Sequence, residues 1–168
     1  MIQINNNKLK ELTKEDKYNA IILQIAEIIK GEKNLIANLA NIVSILKYTF
    51  NKFLWVGFYF IDTDNKNELV LGPFQGKVAC TRLKVGKGVC GTAVEKKETI
   101  IVKDVSKFPG HIFCDSDSKS EIVIPVFKNS NVIAVLDVDS GEISEFDEKD
   151  KKYLEILIKK ITHIFYNE

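Results

Sequence analysis

A single arginine, Arg82, stands among the 24 basic residues of this 168-residue chain. Guanidinium groups carry most bidentate recognition of phosphates and base edges, so nucleic acid is not expected as a partner. No excess of either charge sign compensates: 24 basic against 23 acidic residues leave a net charge of +1, and neither a basic surface nor an acidic tail results. Long apolar runs are missing too, which excludes a membrane-spanning helix. The stretch from Met1 to Asn7 has neither the basic nor the apolar part of a secretory signal. A cytoplasmic protein with no membrane association is therefore expected. Disorder is excluded by what is present, since 45% of residues are hydrophobic and 28% charged, an ordinary globular balance.

Cysteines are few, odd in number and close together: Cys80, Cys90 and Cys114. An odd set in a reducing compartment does not suggest a structural disulfide framework. Three small buried hydrophobes would explain them equally well, so their neighbours decide.

Two helices open the chain. Thr13 can cap one in which Tyr18, Ile21, Ile22, Ile25, Ile28 and Ile29 follow helical spacing, and Gly31 ends it. Asn34 can cap the next, with Leu35, Ile36, Leu39, Ile42, Val43 and Leu46 on one face. Strands follow at residues 53–61, 68–72, 99–103, 121–127 and 132–138, where branched and aromatic residues are dense. The last two are joined by the short turn 128–131 and should be antiparallel neighbours. A short helix is expected over 92–97. A closing helix starts near Ser144 to Asp147, where Ser-x-x-Asp resembles a capping box, and carries Tyr153, Leu154, Leu157, Ile158, Ile161, Ile164 and Phe165. The pattern predicts one α+β domain over 1–168, with helices over 1–50, a central antiparallel sheet and site loops over 53–140, and a final helix over 144–166.

The irregular middle should carry the chemistry. Gly72, Gly76, Gly86, Gly88, Gly91 and Gly110 are six of the nine glycines, and long connections in a small domain are usually functional. Zinc is one reading of Cys80, Cys90, His111 and Cys114, but no pair forms a tight Cys-x2-4-Cys turn, and no metal is expected. Gly86-Lys-Gly-Val-Cys-Gly91 lacks the order of a phosphate loop. It places Cys90 near a helix N-terminus beside Lys87, where a thiol would be acidified. His111 could assist Cys114, while Asp115 would oppose its ionisation, so local charge favours Cys90 as the more acidic thiol. Asp137 and Asp139, two apart on a strand, share a face. That pair calls for a cation or a shared proton unless it is simply a solvated strand end, and Glu121 completes a set of three carboxylates.

The runs Trp55-Val-Gly-Phe-Tyr59, Leu69-Val-Leu-Gly-Pro-Phe-Gln-Gly-Lys77 and Gly86-Lys-Gly-Val-Cys-Gly-Thr-Ala93 resemble those of the free methionine-(R)-sulfoxide reductase family. So do Phe108-Pro-Gly-His-Ile112 with Cys114-Asp115, Ser120-Glu121 and Leu136-Asp-Val-Asp-Ser140. That family is a single GAF domain, and the resemblance runs from Trp55 to the last helix. Two departures are small: a longer 62–67 hairpin, and Phe113 where a smaller residue is common. The resemblance implies thiol-dependent reduction of free methionine-(R)-sulfoxide by a homodimer, with thioredoxin or a similar dithiol as partner and no cofactor. It maps the nucleophile onto Cys114, the resolving thiol onto Cys80 and an alternative or relay thiol onto Cys90. Some accounts of the family favour the Cys90 position as nucleophile, as local charge does here. The acidic pocket maps onto Glu121, Asp137 and Asp139, and the aromatic wall onto Trp55 and Tyr59. Glu121, crowded by the aspartates, would protonate the departing oxygen. The aspartates would hold the substrate ammonium, and Trp55 would pack against the S-methyl group. The rival expectations are a ligand-sensing GAF module without turnover and a zinc-stabilised interaction domain.

Overall fold

Alternation along three strands sorts the apolar residues onto two faces of one sheet. A computed structural model describes residues 12–112 and 114–166. The run Met1 to Asn7 and Phe113, both read from sequence above, lie outside the described residues. Chain order is α1 (Lys14–Ile29), α2 (Leu35–Thr49), β1 (Phe53–Ile61), β2 (Glu68–Gln75), β3 (Arg82–Lys84), α3 (Gly88–Lys96), β4 (Ile100–Val102), β5 (Ser120–Lys128), β6 (Asn131–Ser140) and α4 (Glu148–Ile161). The strands form a six-stranded sheet in the order β3-β2-β1-β6-β5-β4, and every neighbouring pair is antiparallel. This is the expected α+β architecture.

Val56 and Phe58 of β1, Ile122 and Ile124 of β5, and Leu136 and Val138 of β6 share a core with α1, α2 and α4. Their strand neighbours Trp55, Tyr59, Val123 and Val135 face the opposite side, against α3 and the connecting loops. One face is therefore a helix-covered core, and the other is left for a site.

The helix ends follow the sequence signals. Thr13 accepts from the Asp16 N–H and Asn34 from the Ala37 N–H, each satisfying an orphan donor of the first turn. The closing helix differs from expectation: Asp147, not Ser144, is the cap, in a reciprocal capping box with Asp150. Ser144 instead sits at φ 58°, turning the chain into the helix, and α4 ends at Ile161 before a 3-10 turn over Thr162–Tyr166. The buried Asp150 carboxylate also accepts from the Tyr18 hydroxyl at 2.8 Å and from Lys14 Nζ at 2.6 Å. That network ties the first helix to the last, and it pairs a charge that burial would otherwise make costly.

Two further differences have local causes. Helix α3 begins at Gly88 rather than residue 92. Gly91 is there for close approach, not as a breaker: a Cβ on it would lie 2.2 Å from the Lys84 carbonyl oxygen. Strand β3 has three residues and one buried side chain, too few for a periodic signal. β2 runs past Pro73 to Gln75, and the proline is tolerated because the β1–β2 register shifts between Gly57 and Tyr59.

Candidate active site

The register of the three central strands assembles the site. Trp55 pairs with Asp139, and Asp139 pairs with Glu121 across β6. One row along on the same face, Gly57 pairs with Asp137. Directly opposed residues lie about 5 Å apart, so three carboxylates and an indole converge although Glu121 is remote from Trp55 in the chain. Gly57 is required there: a Cβ would stand 2.2 Å from the Trp55 ring. The indole therefore lies flat along the strand, stacked 5.9 Å from Tyr59 and 5.4 Å from Phe74.

Burial governs the electrostatics. Glu121 and Asp137 are 6% and 7% exposed. Desolvation, then the charge of Asp139, pushes the Glu121 carboxyl well above its ordinary value, against a hydrogen bond with Asp137. Asp137 is raised well above its ordinary value by desolvation and by the charges of Glu121 and Asp139. Asp139 is pushed up to about 6 by desolvation, opposed by the Ser118 hydrogen bond and by His111. Like charges confined in low dielectric hold protons rather than ionise together. Burial and mutual charge thus favour the protonated form of these carboxyls, which keeps both sequence readings, a bound cation or a shared proton, in play.

The thiols divide differently from the local-charge expectation. Cys90 lies in the first turn of α3, not on a loop, and is buried and free. Its thiol is raised well above the ordinary value by desolvation, by the charges of Asp137 and Glu121, and by a hydrogen bond to Asp137. The helix N-terminus and Lys87 do not make it acidic, because three carboxylates face it from the sheet. Cys80 and Cys114, on separate loops, are joined in a disulfide with Cα atoms 5.6 Å apart. A zinc set of Cys80, Cys90, His111 and Cys114 therefore does not form in this state. Cys114 and Cys90 line the cleft with Trp55, Tyr59, Glu121, Asp137 and Asp139. Cys80 is not part of that lining.

Polar tips of the aromatic wall hold the Cys80 loop. Trp55 Nε1–H donates to the Lys77 carbonyl at 3.1 Å, and the Tyr59 hydroxyl donates to the Cys80 carbonyl at 3.0 Å. Lys77 in turn bridges to the other loop through Asp115 at 3.4 Å and through Asp117. Two residues that the sequence set beside the thiols, without a role at the acid group or toward substrate, also belong here. His111 Nε2 lies 3.4 Å from Glu121 Oε2 with its side chain 7% exposed, and burial lowers its pKa. Lys87 borders the cleft beside Gly88 and Val89, where the helix start has no side-chain cap. The Phe108-Pro-Gly-His motif pointed to His111, but only β5 turning past it shows the carboxylate partner.

Comparison with known proteins comes to the same place. The GAF domain family model matches residues 39–165. "GAF domain-containing protein A" of Dictyostelium discoideum is 56% identical over 88% of this chain and 91% of its own length. The "Free methionine-R-sulfoxide reductase" of Saccharomyces cerevisiae is 42% identical over 92% of this chain and 89% of its own. The structure of a free methionine-R-sulfoxide reductase from Neisseria meningitidis, solved in complex with its substrate, superimposes with a TM-score of 0.89 at 45% identity, covering 93% of this chain and 92% of that one.

Proposed function

The chain belongs to the GAF domain family and, within it, to the free methionine-R-sulfoxide reductases, and from that premise we propose how its own residues reduce free methionine-(R)-sulfoxide. The carrying observation is a Cys80–Cys114 disulfide whose Cys114 end lines a cleft that also holds the buried carboxyls Glu121 and Asp137. Cys114 is the nucleophile: it reaches the cleft from a half-buried loop, whereas Cys90 is buried against acids that oppose its thiolate.

A sulfoxide oxygen is a poor leaving group until protonated. Glu121, buried and hydrogen-bonded within the acid group, supplies that proton as Cys114 sulfur attacks the sulfoxide sulfur. Net, the S–O bond of the substrate breaks, methionine departs with two electrons gained, and Cys114 is left as a sulfenic acid. Cys80 then attacks Cys114 sulfur, water leaves, and the disulfide seen in the structure forms. An external dithiol, thioredoxin or similar, reduces it by exchange, so no bound cofactor is needed.

The substrate is a zwitterion, and the cleft offers both signs. Asp139 with Asp137 receives the ammonium, Lys87 and the uncapped start of α3 receive the carboxylate, and Trp55 and Tyr59 flank the S-methyl group. A methionine inside a peptide chain has neither charge. The reaction suits a reducing compartment, the cytoplasm, and exposed Leu23, Ile36 and Tyr48 on α1 and α2 offer apolar surface to a second copy in a homodimer.

The test is turnover with each sulfoxide epimer, free and peptide-bound, using dithiothreitol as electron source. The free R epimer alone should be reduced. Cys114→Ser should abolish the reaction, and Cys80→Ser, pre-reduced and assayed with no small thiol present, should yield one methionine per chain and stop at the sulfenic acid. Activity in Cys114→Ser with loss in Cys90→Ser would assign the nucleophile to Cys90. Binding without any thiol consumption would make this a sensor module.

A further inference from the structure

The mechanism above leaves Cys90 without a task, yet this buried thiol sits at the densest point of the acid group. One ligand atom each from Cys90, Glu121 and Asp137 lies within 4.8 Å of the others, and all three residues are buried. Cys90 is hydrogen-bonded to Asp137, and Asp137 to Glu121. Ligand atoms this close can converge on one ion with modest side-chain adjustment, since in a tetrahedral zinc site sulfur lies about 2.3 Å and carboxylate oxygen about 2.0–2.2 Å from the metal. A second observation points to a missing ligand: Oδ1 of Asp137 is buried and accepts no hydrogen bond, although its side chain lines the cleft. A buried acceptor left without a partner is costly, and a cation at this point would supply one.

We propose that Cys90, Glu121 and Asp137 form a binding site for a borderline divalent cation, Zn2+ in the first instance, with the fourth position open to the cleft. On binding, the Cys90 S–H and the protons shared by the two carboxyls pass to solvent, and no electrons move. Thiolate sulfur among the donors selects zinc over magnesium or calcium, which take oxygen ligands. The set differs from the Cys80–Cys90–His111–Cys114 combination that the sequence suggests. It uses one thiol that stays free while the other two are paired, so the site exists in the disulfide form of the protein. This inference shares Glu121 and Asp137 with the proposed reductase mechanism, so a bound ion would compete with substrate, but its test reads metal binding without substrate or turnover.

That redox state gives a clean experiment. In the full-length disulfide form Cys90 is the one unpaired cysteine of the three in the sequence, so a sulfur-to-cobalt charge-transfer band can come from no other residue. Titration with Co2+ should raise that near-ultraviolet band to saturation at one ion per chain, and an equivalent of Zn2+ should bleach it. Cys90→Ala should remove the band, and Asp137→Asn should weaken cobalt binding by roughly tenfold or more. Absence of the band in the disulfide form would overturn the proposal, as would a band that survives Cys90→Ala. Should Cys90→Ala fail to fold, Asp137→Asn decides alone: unchanged cobalt affinity counts against the site.

Discussion

Closing the Cys80–Cys114 bond should have a thermal signature large enough to measure without any substrate. The bond spans a sequence separation of 34 residues. Cross-linking a loop of that length removes chain entropy from the unfolded state worth about 4 kcal/mol at 25 °C. For a domain of this size each kcal/mol moves the melting temperature by roughly 2–4 °C. The oxidised protein should therefore melt about 8–15 °C above the reduced one. The measurement is a pair of melting curves, with and without dithiothreitol, followed by far-ultraviolet circular dichroism. Cys80→Ser should melt with the reduced wild type and show no response to reductant, because Cys90 is too deeply buried to offer a replacement bond. A difference under about 3 °C would refute the reasoning, since both loops would then be as restricted unfolded as folded. An equal response to reductant in Cys80→Ser would refute it in another way, by placing the sensitive thiol elsewhere.

Other perturbations test the framework that holds the site. Asp150→Ala removes the acceptor of both Tyr18 and Lys14 and leaves a hydroxyl buried at 0% exposure, so it should cost about 3–5 kcal/mol in urea unfolding; a loss below about 1 kcal/mol would show that the first and last helices are tied by packing alone. Gly57→Ala drives a Cβ to within 2.2 Å of the Trp55 ring, an overpacking of about 1–3 kcal/mol that should shift the emission of the single tryptophan and raise KM more than it lowers kcat. Unaltered fluorescence would mean the indole does not lie over that strand. Lys77→Met unties the two cysteine loops, and after a first turnover it should slow disulfide closure by about two- to fivefold, the weight of its ion pairs to Asp115 and Asp117. High salt should slow the wild type to the same rate, and a closure rate indifferent to both would remove Lys77 from that role.

Much of this protein was determined by local chemistry that any reader of the sequence meets. Period-two alternation placed Asp137 and Asp139 on one face, helical spacing and capping residues set α1 and α2, and the cluster of glycines marked where the loops would be. Those signals act over a few residues, and hydrogen bonding and side-chain direction enforce them locally. The chemistry of the thiols needed the tertiary structure. A helix N-terminus and a neighbouring lysine speak for an acidic Cys90 within its own segment. Glu121 and Asp137, which reverse that, arrive from strands 31 and 47 positions further along the chain. Desolvation at such a point exceeds the dipole of one helix turn, and burial is a property of the whole packed sheet. The pairing of Cys80 with Cys114 was likewise carried by family resemblance rather than by spacing. In the fold, the Trp55 indole and the Tyr59 hydroxyl, fixed on a central strand, hold the Cys80 loop, and Lys77 bridges it to the Cys114 loop.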